Sequence, residues 1–291
     1  MEQDTAPADL DRRFGGLTRL YGSVGAQRIR TAHVVVVGLG GVGSWAAEAL
    51  ARSGVARLSL IDLDHIAESN INRQVHALDT TLGQAKVQAM RERIAHINPI
   101  CDVRCIEEFV DADNWPEMAS EIAALGRDAT ESVSIIDACD QVKAKTAMAA
   151  WALQHNATHN NPQKINFISV GAAGGKRHAH KVEIDDLSLA THDPLLAQLR
   201  YRLRKERGAA RQGKMGVNCV FSRESVMQPG AMVAENKATT DSGALLGNGD
   251  GNGMDTPSDG SLNCHGYGSV VTVTSTFGVC AAGWVLFKIA G

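Results

Sequence analysis

Six cysteines are present, Cys101, Cys105, Cys139, Cys219, Cys264 and Cys280, but no two form a Cys-x-x-Cys pair. Structural zinc is therefore not expected, because its thiolate ligands most often come from two such pairs. The cysteines also lack the spacing of a disulfide framework, which points to a reducing cytoplasm. No base stands beside Cys219 or Cys264, so each reads as a buried or loop thiol, with a reactive nucleophile as the alternative. Net positive charge is missing too: 29 Lys and Arg against 32 Asp and Glu give −3. That balance excludes a wholesale polyanion-binding surface and makes any nucleic-acid contact local. The N-terminus, MEQDTAPADLDRR, is acidic and has no apolar core, so no secretory signal is read there. With 291 residues, 44% of them hydrophobic, the chain can bury one large core without disulfides.

What is present is concentrated between His33 and Asp64, in HVVVVGLGGVGSWAAEALARSGVARLSLIDLD. Val34 to Val37 predict a buried strand, Gly38, Gly40, Gly41 and Gly43 a turn, and the next residues a helix. A second strand follows from Leu58 to Ile61 and ends in Asp62. This order is that of a βαβ nucleotide-binding unit. Gly38 permits the tight turn, Gly40 lets backbone N–H groups approach phosphate, and Gly43 lets helix and strand pack closely. Asp62, at a strand's C-terminal end, is placed to accept hydrogen bonds from ribose hydroxyls. A purely structural glycine turn is the plainer alternative.

A dinucleotide is the default ligand of such a unit, and the next segment argues for a triphosphate instead. Asp64, Asn70, Asn72, Arg73, Gln74 and Lys86 follow at once. Two cations and several amides suit the greater charge of a triphosphate, whereas the alternative is a solvated polar loop. A third strand, Val133 to Ile136, leads into Asp137 and Asp140. Strand-end carboxylates near phosphates are the hard oxygen ligands that Mg²⁺ prefers, although either aspartate alone reads equally well as a helix cap.

GLGGVGS, IDLD, NINRQ, GQAK and DACD, in this order and spacing, resemble the adenylating domain of the ubiquitin-activating-enzyme-like superfamily, which includes the molybdopterin- and thiamine-biosynthesis adenylyltransferases. The resemblance implies an α/β fold with a Rossmann-like, mainly parallel sheet and flanking helices. It implies ATP and Mg²⁺ as cofactors. Asp62 would hold the ribose; Asn70, Arg73, Gln74 and Lys86 the phosphates; Asp140 the Mg²⁺, with Asp137 beside it. It further implies a homodimer in which an N-terminal arginine of one subunit reaches the other's phosphates. Arg19 is the candidate and Arg13 the alternative. RFGG and RLYG near the start, VGSWAAEALARSG, NRQVHALDTTLGQAK, INPICDV, GAAGG and GKMGVNCVFSRE narrow the likeness to the tRNA threonylcarbamoyladenosine dehydratase branch. Members of that branch activate the threonyl carboxylate of a modified adenosine with ATP, and internal capture of the carbonyl gives a cyclic, dehydrated product. The thiamine and molybdopterin branches commonly carry the two zinc-binding cysteine pairs missing here.

The whole chain, 1–291, reads as one adenylating domain, with a nucleotide-binding half over about 25–160 and a substrate and dimer half over about 161–291. In the second half, strands are predicted at Asn166 to Val170 and Lys181 to Ile184, joined by the hairpin-like GAAGGKRHAH, which reads as a site edge or a simple turn. Then LRYRLRKERGAARQGK sets Arg200, Arg202, Arg204, Lys205, Arg207, Arg211 and Lys214 against Glu206 alone. On a mildly acidic chain this run is the expected contact for tRNA, not DNA, and a solvated helix face is the alternative. Residues 238–262 are Gly, Asn and Asp-rich and read as a disordered insertion. SVVTVTSTFGVCAAGWVLF, near the C-terminus, is long enough to span a bilayer but reads better as a buried or dimer-interface helix than as a membrane attachment.

The leading expectation is an ATP-dependent tRNA-modifying enzyme. An adenylyltransferase acting on the C-terminus of a small sulfur-carrier protein is the alternative within the superfamily. An NAD-dependent oxidoreductase and a nucleotide-sensing scaffold are alternatives of other classes. Assistance by a cysteine desulfurase or sulfur-acceptor partner is left open by the sequence.

Overall fold

A computed structural model describes residues 8–124, 133–158, 164–227 and 267–291. Within it, β1 (His33–Val37), β2 (Arg57–Ile61), β3 (Asp102–Ile106), β4 (Val133–Asp137), β5 (Asn166–Val170), β6 (Val182–Asp186) and β7 (Asn218–Ser222) form one sheet in the order β3-β2-β1-β4-β5-β7-β6. All neighbours are parallel except β6 and β7. The expected Rossmann-like fold is what is found. All five residues of β1 and of β4 are buried. That is why these strands read as unbroken Val/Ile runs: parallel strands covered on both faces have no polar side to alternate with.

Helices α1 (Leu10–Thr31), α2 (Gly43–Arg52), α3 (Lys86–Ile97) and α7 (Val271–Ala290) cover one face. On the other lie α4 (Trp115–Ala124), α5 (Val142–Ala157) and α6 (Pro194–Glu206). The apolar C-terminal stretch is α7, long and apolar enough to cross a membrane, yet half buried in the protein. Val273, Phe277, Ala281, Val285 and Ile289 form its buried stripe. Gly278 lets it approach α2 closely, since a Cβ there would collide with the Val42 carbonyl.

One element goes beyond the sequence reading and one expectation changes. The segment before β1 carries few helix signals in sequence, but it forms α1, with Asp9 accepting from the Arg12 N–H (2.9 Å) and Gly22 kinking it at φ 71°. Its regularity comes from packing: Gly25 brings the helix against Ala290 of α7, and tertiary burial outweighs weak local propensity. Nor is β6 the hairpin partner of β5. Strand β7 lies between them and pairs antiparallel with β6 from Val182↔Ser222 to Asp186↔Asn218. The expected insertion at 238–262 and Cys264 lie outside the described residues.

Candidate active site

Strand order reverses between β1 and β4, and a cleft of about 300 Å³ opens there at the C-terminal strand ends. Parallel α/β sheets place ligands at this switch point because the loops diverge to opposite faces. The chain turns out of β1 at Gly38, whose φ of 86° suits glycine. The Gly38 N–H donates to Ile61 O at 2.8 Å. A Cβ on Gly43 would strike the Gly38 carbonyl, so α2 can start this close to the turn only with glycine. Gly38, Gly40 and Gly41 line the cleft, with the N-terminal end of α2 beside them.

Asp62 holds this loop in place. Its Oδ2 accepts from the Leu39 N–H and its Oδ1 from the Asp64 N–H at 2.9 Å. Burial raises the Asp62 pKa above the usual aspartate value, and the nearby Lys86 ammonium only partly opposes this. Lys86, at the start of α3, lies 2.7 Å from Asp64 Oδ2 and 3.7 Å from Asp62 Oδ1. Asn70, Arg73 and Gln74 complete this wall. Arg73 donates to Ser69 O (2.6 Å) and Asn72 Oδ1 (2.9 Å), and its stem packs on Gly41. Gln74 is 5% exposed, and its buried amide oxygen has no hydrogen-bond partner among the described residues. An unmet polar group of this kind in a cleft wall is one that a ligand or water satisfies.

Ala138, Cys139 and Asp140 form the facing wall. The Asp140 side chain is half-buried and makes no hydrogen bond or ion pair with another described residue. Asp137, expected beside it, is elsewhere: it is fully buried beneath the floor, 3.0 Å from Lys145 Nζ, and does not line the cleft. It is the last residue of β4, a strand buried along its whole length. Gly171, Ala172, Ala173 and Gly174 do line the cleft, which favours the site-edge reading of this segment. Glu108, Phe109 and Val110, after β3, and Ser269 and Thr274, around the start of α7, were not anticipated. Phe109 had a signal, an apolar residue just past a strand end. Thr274 had none, because it arrives only through the α2–α7 packing.

The cleft therefore sets a glycine loop and helix N-terminus, a buried carboxylate, two cations and a second carboxylate with no partner among the described residues around one space. A model described as the ThiF family matches residues 14–289. The chain belongs to the ThiF family. It is 38% identical to the tRNA threonylcarbamoyladenosine dehydratase of Escherichia coli (strain K12), over 96% of this chain and 93% of that protein. The dehydratase of the same name from Haemophilus influenzae is 36% identical over 97% of this chain and 94% of its own length. Among solved structures, the E. coli tRNA N6-threonylcarbamoyladenosine dehydratase in complex with ATP superposes with a TM-score of 0.75 at 35% identity, covering 98% of this chain and 97% of that one.

Other expected residues of this ThiF-family chain lie away from the cleft. Arg19 is exposed on α1 and does not line it. Arg13 donates to Ile97 O (2.9 Å) and borders a separate recess. The basic run is divided by helical phase. Arg204 and Lys205 line a recess of about 360 Å³ with Arg200, Tyr201 and Arg211. Arg202 instead pairs with Glu206 at 3.1 Å, and Arg207 caps the end of α6. Cys219 is buried in the core, and that burial raises its pKa well above the usual thiol value, so it is no nucleophile.

Proposed function

We propose that this protein is an ATP-dependent tRNA threonylcarbamoyladenosine dehydratase of the cytoplasm. The observation that carries the reading is near-full-length identity to dehydratases of that name, one of them solved with ATP, combined with the switch-point cleft. The threonyl carboxylate of the modified adenosine attacks the α-phosphorus of ATP, and pyrophosphate leaves. The carbamoyl group next to the activated carbonyl then attacks it; AMP departs, one proton is lost, and a ring has closed. No protein nucleophile and no sulfur transfer enters these steps. The missing Cys-x-x-Cys pairs and near-full-length coverage weigh against a sulfur-carrier adenylyltransferase.

In-line attack at phosphorus needs alignment and neutralisation of spreading negative charge. The glycine loop and the α2 N-terminus present backbone N–H groups to the phosphates. Asp62 takes the ribose hydroxyls, while Asn70, Asp64 and Gln74 border the same pocket. Lys86 and Arg73 carry positive charge to the phosphates, and Arg19 of a second subunit adds to it. Mg²⁺ usually takes one or two carboxylates and fills its shell with phosphate oxygens and water. The unpaired Asp140 suits that role, and Asp137, engaged by Lys145, does not. Bound there, Mg²⁺ would neutralise the departing pyrophosphate. The basic face of α6 takes the tRNA backbone.

The deciding experiment is nucleoside analysis of threonylcarbamoyladenosine-bearing tRNA incubated with the protein, ATP and Mg²⁺. The expected outcome is a product lighter by one water, with AMP and pyrophosphate released in equal amounts. Unchanged tRNA with active ATP binding would reject the substrate, and tight NAD binding without ATP binding would reject the whole reading.

A further inference from the structure

Beneath the cleft floor lies a buried ion pair that no step above uses. Lys145, in the second turn of α5, and Asp137, the last residue of β4, both have side chains 0% exposed. The Lys145 ammonium donates to Asp137 Oδ1 (3.0 Å), to the Asp137 backbone carbonyl (3.2 Å) and to the Val170 backbone carbonyl (2.8 Å). The remaining oxygen of Asp137 accepts from the Ser169 hydroxyl at 2.7 Å. The Cys139 thiol also donates to Oδ1, at 3.1 Å. Burial draws Lys145 towards its neutral form, but its neighbours, the Asp137 carboxylate first among them, together outweigh this and hold its pKa above the usual lysine value.

The position of this cluster matters more than its charge. Asp137 and Val170 end adjacent parallel strands whose pairing stops at Asp137↔Ser169. From each the chain runs straight into the cleft, as Ala138 to Asp140 on one side and Gly171 to Gly174 on the other. One ammonium therefore binds the final carbonyls of both strands where the ladder has ended. Buried ion pairs are weak stabilisers compared with apolar residues of equal volume, so a residue of this kind is better explained by the geometry it imposes. Lys176 gives a second buried amine on backbone carbonyls, those of His192 (3.0 Å), Ser222 (3.1 Å) and Glu224 (2.7 Å), with the Asp193 and Glu224 carboxylates close enough to act on its charge.

We infer that Lys145 is a positioning residue for adenylation, a tether across the ends of β4 and β5 that fixes Asp140 against the Gly171–Gly174 loop. The inference rests on the adenylating function proposed above. The rival account is that Lys145 only neutralises Asp137. Three variants separate them: Lys145→Met, Asp137→Asn, and the double variant, which leaves no uncompensated buried charge and so protects the fold. Each is followed by thermal melting, by the Kd for Mg·ATP in calorimetry, and by kcat for AMP formation on threonylcarbamoyladenosine-bearing tRNA.

The tether predicts that Lys145→Met and the double variant lose kcat on the order of 10²-fold, the scale of an ångström-sized misplacement. Their Mg·ATP affinity should stay within a few-fold, because most of the nucleotide wall comes from β1, β2 and α3. Asp137→Asn, which leaves both carbonyls on the ammonium, should remain at least about tenfold faster than Lys145→Met. Equal impairment of the two single variants with recovery in the double variant would overturn the tether in favour of charge neutralisation. Wild-type kcat in Lys145→Met would overturn both accounts. Failure of the wild-type protein itself to form AMP would instead count against the proposed function.

Discussion

Lys86 Nζ bridges Asp64 and Asp62, 2.7 Å from the first and 3.7 Å from the second, and the two carboxylates differ sharply in exposure, 58% against 9%. The shorter contact is thus to the partner whose charge water screens best, and that screening weakens the pair relative to one buried on both sides. Lys86 can leave Asp64 for a phosphate oxygen at small cost, while the buried Asp62 keeps the ammonium over the cleft.

A difference between two variants follows. Lys86→Met should slow AMP formation by roughly 10²-fold or more, the scale of one preorganised electrostatic group. Asp64→Asn should cost less than about tenfold, because it removes a screened partner and leaves the cation in place. Single-turnover kinetics on both proteins, after matching their melting curves, checks the order. A larger loss in Asp64→Asn would make Asp64 the principal group and Lys86 its support.

His76 predicts an acid-side instability. It is 1% exposed, both ring nitrogens lack partners among the described residues, and burial, reinforced by the cations of Lys86 and Arg93, lowers its pKa to about 4. Unfolded, the imidazole titrates near 6.5. Between those values the unfolded chain binds the extra proton, so this contribution is present above pH 6.5 and is lost as pH falls towards 4. From pH 7 to pH 5 it amounts to about 2 kcal/mol. Urea unfolding at both pH values should show that decrement in the wild type relative to His76→Leu. Parallel pH profiles would mean that the native ring takes up its proton over the same range as the unfolded chain's.

The parts of the site legible in sequence are those built by one local unit. Gly38, Gly40, Gly41 and Asp62 belong to a single βαβ element, so spacing alone put them together, and Lys86 follows at the next helix start. Asp137 and Asp140 stand three residues apart in the same strand-end context, and nothing local says which one faces the cleft. Lys145, eight residues on, holds Asp137 inward, and in a helix that also carries the exposed Lys143 nothing local tells the inward cation from the outward one. The β5–β6 link is short enough for a hairpin, and only the later arrival of β7 between the strands overrules it. In the basic run the charges can be counted from sequence, but helical phase decides which of them share a face.

That division changes what a tRNA-binding test should target. Replacing Arg204, Lys205 and Arg211 by Gln removes three cations from one recess, so the slope of log affinity against log salt should fall by about 2. Arg202→Gln, whose side chain already pairs with Glu206, should alter the slope by less than about one contact's worth. Mg·ATP affinity should not move in either protein. Filter binding across a salt series distinguishes the outcomes, and an unaltered slope in the triple variant would return α6 to a solvated face.

Quaternary structure carries the last prediction. Helix α1 exposes Leu20 (72%) and Val24 (64%), and the adjoining α7 exposes Phe287 (62%) and Val279 (49%). The two helices are joined where Gly25 meets Ala290 and Arg28 donates to Ala290 O at 3.2 Å. Apolar side chains grouped on neighbouring helices favour burial against a second copy. Arg19 precedes Leu20 on α1, so a dimer closing on this face would carry it towards the partner, whereas Arg13 is engaged with its own Ile97 carbonyl. Arg19→Ala and Asp140→Ala should each be nearly inactive alone. Mixed in equal amounts with free exchange, half the dimers are heterodimers, and each holds one cleft with Asp140 intact and Arg19 arriving from the other chain. Activity should therefore recover to about a quarter of wild type. If Arg19 served its own cleft, no chain in the mixture would be complete and nothing would recover. Sedimentation as a monomer at assay concentration, or no recovery despite proven exchange, would place the finger elsewhere.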